Sequence, residues 1–244
     1  MTSKRLSHLL QFATPIYREK KMPAIFFGSI GTIADTSELQ RQAFNQAFAL
    51  HNLDWNWSRE EYMTLLEKSG GSQRVEDYAK SMGQSVDAKA IHRSKSEIFQ
   101  ESLHRERLEP RLGVVEVIQQ AKQKGLKLAW VTTTSKQNVE SIIGALHRDI
   151  DASVFDLVLS SSEVKNSKPA QDAYDFALKE LAQTPNDCIA IENNLDGLKA
   201  AKAAGLACVA FPDANTVHHN FEGANLLVSH LDFEQLQEIL QNNS

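Results

Sequence analysis

The sequence predicts an α/β protein: a doubly wound parallel sheet with a block of helices inserted after its first strand. Three observations carry that prediction. Six short apolar runs recur along the chain, without the polar alternation of a one-sided strand, as expected of strands covered on both faces. Amphipathic segments separate the later runs, which is the alternation of a parallel sheet. Between the first run and the second the alternation breaks, and residues 37–110 read as consecutive helices.

Taken in order, Ala24–Phe27 is the first strand. The inserted block follows, with helical patterns at Ser37–His51, Ser58–Glu67, Arg74–Ser81 and Asp87–Leu103, separated by Trp55-Asn56-Trp57, Gly70-Gly71 and Gly83. Leu126–Val131, Phe155–Leu159, Cys188–Ile191, Ala207–Phe211 and Leu226–Val228 are the remaining strands. Helical patterns at Gly113–Lys124, Lys136–Leu146, Pro169–Leu181 and Gly197–Ala204 connect them. Leu231–Leu240 places Phe233, Leu236 and Leu240 on one face and predicts a last helix packed on the sheet. The domains so predicted are a core of residues 22–36 plus 111–244 and a helical cap of 37–110, after an extension of 1–21. That extension is basic and acid-poor, which suits a flexible arm, a targeting segment, or a start codon upstream of Met22.

Composition narrows the function. Of 244 residues, 42% are hydrophobic and 23% charged, and 26 basic against 31 acidic residues give a net charge of -5. That balance lacks the basic field of a nucleic-acid binder. No apolar stretch approaches a membrane span. Two cysteines in apolar segments, Cys188 and Cys208, exclude a disulfide framework and fit a cytoplasmic protein.

In open parallel sheets ligands bind at the carboxyl ends of the strands. The loops there hold Gly28 to Thr32, Thr132 to Ser135, Ser160 to Lys168, and Glu192-Asn193-Asn194. Hydroxyls after one strand, a lysine before a helix and N–H groups at helix starts can together hold a phosphoryl group. Each has a plainer reading: Thr132–Ser135 as a helix cap, Lys168 as a solvated charge. Trp55 and Trp57, in a loop between the inserted helices, can anchor an interface or pack within the insert, Asp213 and Asn215 are expected to make a turn, and His218-His219 to hold no metal.

The segment 24–36, Ala-Ile-Phe-Phe-Gly-Ser-Ile-Gly-Thr-Ile-Ala-Asp-Thr, resembles the first motif of haloacid dehalogenase-like hydrolases. Thr132 resembles the second motif, Lys168-Pro169 the third, and Ile191-Glu192-Asn193 the fourth. The cap resembles that of the CbbY branch, phosphatases of xylulose-1,5-bisphosphate. The stretches that carry it are Asp54 to Trp57, Gly70-Gly71 with Arg74, Ile91 to Lys95, and the threonines 132–134. The resemblance implies a Rossmann-like core, phosphate binding by Thr132, Thr133 and Lys168, and cap contacts from Gly70, Gly71 and Arg74. It also implies a setting in carbon fixation and photosynthesis.

The departures are as informative. The family's first motif carries two aspartates, one attacking phosphorus and one serving as acid and base. Here those positions are Gly28 and Ile30, which can do neither. In the fourth motif the acidic pair has become Glu192-Asn193. Magnesium, used by active relatives, is expected to bind weakly or not at all, with Glu192 the remaining candidate ligand. Loss of a covalent nucleophile costs on the order of a million-fold, about 8 kcal/mol. The leading expectation is therefore a catalytically inactive pseudophosphatase, a sensor, regulator or assembly protein. It would bind a sugar phosphate, a phosphorylated ligand or a protein partner, with no catalytic residue and no cofactor. The alternative is a sugar-phosphate phosphatase or phosphomutase with an atypical active site.

Overall fold

A computed structural model of the chain describes residues 22–243, apart from Ser29 and Ser69. The expectations for residues 1–21 lie outside the described residues.

Six strands form one sheet: β1 (Ala24–Phe27), β2 (Lys127–Val131), β3 (Leu157–Leu159), β4 (Cys188–Glu192), β5 (Ala207–Ala210) and β6 (Leu226–Leu227). Their order is β3-β2-β1-β4-β5-β6, and every pairing is parallel. The order reverses at β1, where Phe27 lies opposite Trp130 on one side and Ile191 on the other. A crevice opens at such a reversal, beyond the carboxyl ends of the strands.

The period of two decides which residues face which layer. Ile25 and Phe27, Leu128 and Trp130, and Ile189 and Ile191 share one apolar cluster. Ala24 and Phe26, Ala129 and Val131, and Cys188 and Ala190 share the other. The large-residue face is covered by α6 (Val114–Gln123), α7 (Lys136–Leu146) and α10 (Phe233–Asn243), through Val117, Ile142 and Leu236. The small-residue face lets α8 (Asp172–Glu180) and α9 (Leu195–Ala203) approach through Ala173, Ala177 and Ala201.

After a single turn, α1 (Ile30–Ile33), the chain enters α2 (Ser37–Leu50), α3 (Arg59–Leu65), α4 (Gly71–Ser81) and α5 (Ala88–Arg105). These helices build a core of their own around Phe44, Phe48, Trp55, Trp57 and Tyr62. Trp57 stands edge-on to Phe48 at 4.6 Å, so the tryptophans pack within the insert. Ser58 starts α3 with a reciprocal cap, accepting from the Glu61 N–H while Glu61 accepts from the Ser58 N–H.

Element boundaries differ from expectation where the backbone turns. Gly113 lies outside α6 at φ +87°, and a Cβ there would run into the Leu231 backbone. The helix expected from Pro169 begins at Asp172. The helix expected from Arg74 begins at Gly71 instead, after Gly70 at φ +97°.

Arg111 ties the return from the insert to the sheet. Its guanidinium donates to the carbonyls of Gly31 and Phe211 at 2.7 Å and of Pro212 at 2.6 Å, and lies over the Phe211 ring. Burial lowers its pKa to about 10, so the group stays charged at neutral pH.

Candidate functional site

The carboxyl ends of β1, β2, β4 and β5 form the floor of a cleft of about 490 Å³, and the inserted helices form its roof. At the floor, β1 ends and Gly28 follows, its N–H donating to Ile191 O at 2.8 Å. A Cβ on Gly28 would overlap the Glu192 carboxylate and the Tyr174 hydroxyl, and a Cβ on Gly197 would overlap the same carboxylate. The two glycines thus leave a niche, and the Glu192 side chain fills it. The carboxylate occupies volume that any side chain at position 28 would need.

Glu192 is fully buried. Its Oε1 accepts from Lys168 Nζ and from the Tyr174 hydroxyl, each at 2.6 Å. Its Oε2 is buried with no hydrogen-bond partner. Lys168 also donates to Val131 O at 2.7 Å and to Gly28 O. An ammonium has three hydrogens, so these three acceptors use all of them. Burial pulls the Lys168 pKa down and Glu192 opposes that shift, while burial and Glu192 together push the Tyr174 phenol well up.

After β2 the chain turns through Thr132 to Ser135. Ser135 Oγ accepts from the Asn138 N–H, which makes it the cap of α7. Thr132 Oγ1 accepts from the Thr134 N–H, and Thr132 and Thr133 both line the cleft. The plain capping reading therefore holds for Ser135, while the threonines before it face the opening.

In the roof, Gly70 and Gly71 lie at the start of α4, and a Cβ on Gly71 would overlap the His92 ring. Burial lowers the His92 pKa to about 4, so its imidazole is neutral at neutral pH. Lys95 is 3% exposed; its Nζ donates to Gln40 Oε1 at 3.0 Å and sits 4.9 Å over Phe44. Burial brings its pKa down to about 7. Arg74 turns partly away, donating to Leu65 O at 2.8 Å and Lys68 O at 2.7 Å.

The structure brings Gly28, Ile30, Thr132, Thr133, Lys168 and Asn193 of the core, with Gly70, Gly71 and Arg74 of the insert, to this one cleft. Glu192 lies beneath the floor rather than along it. Asp213, expected as a turn residue, lines the cleft too. Asp213 Oδ2 accepts from the Asn193 amide at 2.7 Å, so the pair joins the ends of β4 and β5. Nothing in the sequence around Asp213 signals that meeting; it follows from the adjacency of the two strands.

The residues present do not make a magnesium shell. That ion takes near-octahedral oxygens, usually with carboxylates among them. Positions 28 and 30 offer none, Glu192 is held through Oε1 by Lys168 and Tyr174 with only Oε2 left, and Asp213, on the cleft wall, is engaged by the Asn193 amide and the Asn215 N–H, so no pair of carboxylates converges. No cluster of three His, Cys, Asp or Glu side chains placed to hold a metal occurs among the described residues. No helix among them is long and apolar enough to cross a membrane.

The model of the haloacid dehalogenase-like hydrolase family matches residues 31–211. CbbY of Cereibacter sphaeroides is 39% identical over 208 residues, covering 84% of this chain and 90% of that protein. The crystal structure of CbbY from Rhodobacter sphaeroides in complex with phosphate superposes with a TM-score of 0.80 at 37% identity, covering 90% of this chain and 99% of that one. A CbbY mutant from the same organism in complex with xylulose-1,5-bisphosphate gives a TM-score of 0.78 at 38% identity, covering 86% and 94%.

These findings correct the expectation of a catalytically inactive pseudophosphatase. That expectation equated the missing carboxylates at Gly28, Ile30 and Asn193 with missing function. The kinship is with hydrolases, and with CbbY structures that hold phosphate or a sugar bisphosphate. A phosphatase with an atypical active site fits them better than an inactive regulator. The chain belongs to the haloacid dehalogenase-like hydrolase family, in its CbbY branch.

Proposed function

We propose that this protein hydrolyses a sugar phosphate, with a pentose bisphosphate as its substrate class, at a site that uses no carboxylate at position 28. The observation that carries this reading is the two-ended cleft. Its floor offers the hydroxyls of Thr132 and Thr133 beside the start of α7, and its roof offers Lys95 and Arg74. Hydroxyls and a helix N-terminus suit one phosphate. The roof cations suit a second, and the space between them suits a short sugar. The bisphosphate held by a CbbY relative supports this substrate class, and a carbon-fixation setting belongs to the same proposal.

Lys168 acts on a bound phosphate through its charge and not through a free N–H, because Gly28, Val131 and Glu192 take its three hydrogens. It also neutralises Glu192, which otherwise would repel an anion at close range. A phosphate dianion therefore meets a near-neutral floor with donors at its edge. The bond-breaking step needs an acid–base group from elsewhere in the cleft, and no step is routed through a metal.

Phosphate release from a panel of pentose and hexose mono- and bisphosphates tests the reading. Release from at least one bisphosphate, with monophosphates slower, is the expected result. A Lys95→Met variant should raise KM for the bisphosphate and leave monophosphate kinetics nearly unchanged. Equal loss on both classes would remove the second phosphate site from the proposal.

A further inference from the structure

Among the described residues lining the cleft, Asp213 is the only carboxylate. We infer that Asp213 is the general base of this site, activating a water for direct attack on the phosphorus; this rests on the hydrolase reading above.

Geometry carries the assignment. Asp213 stands two residues past the Arg111-braced Phe211 and is 5% exposed. Its position is fixed twice, Oδ2 accepting from the Asn193 amide at 2.7 Å and Oδ1 from the Asn215 N–H at 2.8 Å. Its own N–H donates to Thr216 Oγ1 at 3.0 Å. An ionised carboxylate has about four acceptor positions, so two remain for a water. Asn215 is in turn held by Arg59 Nε from the inserted helices at 3.1 Å, which links the loop to the roof. The carboxylate missing at position 193 is thus found one strand over, against the amide that replaced it.

The other titratable groups of the cleft are less suited. Lys168, an ammonium giving its three hydrogens to Gly28, Val131 and Glu192, has no lone pair to take a proton; Lys95 is turned to Gln40 and lies over Phe44 and Phe99 in the roof, where it serves the second phosphate; the Tyr62 phenol is pushed up by burial; and His92 at about 4 is a weak base in the roof. Around Asp213, burial and Asp35 raise its pKa, while the Asn193 and Asn215 bonds and Arg111 lower it; the net direction is upward. From the inserted helices, Tyr62 is electrostatically coupled to it and Arg59 reaches the adjoining Asn215. A carboxylate of raised basicity is better matched to a water proton near neutral pH than an ordinary one.

The step balances without a co-reactant other than water. A water oxygen bonds to phosphorus as one of its protons passes to Asp213. The P–O bond to the sugar breaks, and its electron pair leaves with the sugar oxygen. That oxygen takes a proton from a second water, and the hydroxide formed is neutralised by the proton on Asp213.

The experiment compares the natural protein with Asp213→Asn and Asp213→Ser on the best bisphosphate substrate across pH. Binding of inorganic phosphate is measured beside it, with thermal unfolding as the control for folding. General-base catalysis contributes roughly 100- to 10,000-fold. Both variants should therefore lose at least about 100-fold in kcat while binding phosphate within about threefold of the natural protein. The rising acid limb of the natural pH profile should vanish with them. A folded Asp213→Asn protein that keeps its kcat within threefold, or keeps the acid limb, overturns the assignment and leaves the hydrolase reading standing. A natural protein silent on every substrate overturns the hydrolase reading, and the assignment with it.

Discussion

The niche between Gly28 and Gly197 makes the most direct structural prediction. Gly28→Ala places a methyl group where the Glu192 carboxylate lies, and that carboxylate is pinned by Lys168 and Tyr174. Either the methyl is accommodated by strain, about 1–3 kcal/mol for overpacking, or Glu192 retreats. Retreat gives up charge-assisted bonds of about 1.5–3 kcal/mol. Both routes converge on about 2 kcal/mol. For a chain of this size that lowers Tm by roughly 4–8 °C. Glu192→Asp withdraws the carboxylate by one methylene, so the two substitutions should not add. A thermal-unfolding cycle over both should show about 1 kcal/mol or more of favourable coupling. A Gly28→Ala protein melting within about 1 °C of the natural one, or strict additivity, refutes the claim that Glu192 fills the position-28 volume. The same logic warns that Gly28→Asp is not a simple repair of the family's first motif.

Three charged groups carry the further predictions. Lys168→Met strands Glu192 as a buried unpaired charge, which should cost about 3–5 kcal/mol in urea unfolding; pairing it with Glu192→Gln should restore much of that. Burial puts the Lys95 pKa near 7 in the folded chain, below its unfolded value, so the unfolded state binds more protons above that point. Stability relative to Lys95→Met should then rise from about pH 7 to about pH 10. Bisphosphate binding at about pH 8 should draw a proton onto Lys95, seen as calorimetric heat that varies with buffer ionisation enthalpy and ceases to vary in Lys95→Met. Arg111→Lys cannot reproduce three carbonyl contacts with a stacked plane. It should lower Tm by several degrees and loosen the insert against the core, read by hydrogen exchange at Gly31 and Asp213.

Much of the fold was legible because burial on both faces writes itself into the sequence. Ala24–Phe27 and Cys188–Glu192 are apolar or small nearly throughout, and each occupies the sheet centre. The helical insert was legible from the loss of that pattern between Ser37 and Leu103. Helix starts were less so, because Gly113 and Gly70 depend on backbone φ that composition does not state. In the site, motif spacing led to the strand ends, where Thr132, Lys168 and Asn193 do converge. The occupancy of Lys168 was hidden, since it depends on two strand-end carbonyls meeting one ammonium. Asp213 was hidden for a similar reason: Phe211-Pro212-Asp213 reads as a turn until β5 is known to lie beside β4. Function was misjudged because absent side chains are visible in a sequence, whereas a carboxylate meeting Asn193 from the next strand is not.

The central claim is turnover of a sugar bisphosphate by the natural protein. Its most direct measurement is phosphorus NMR of xylulose-1,5-bisphosphate incubated with the purified chain at equal concentration, without added metal. Decay of one ester resonance with matching growth of inorganic phosphate is the predicted result. Two ester resonances unchanged over hours, with the protein still folded, would contradict it.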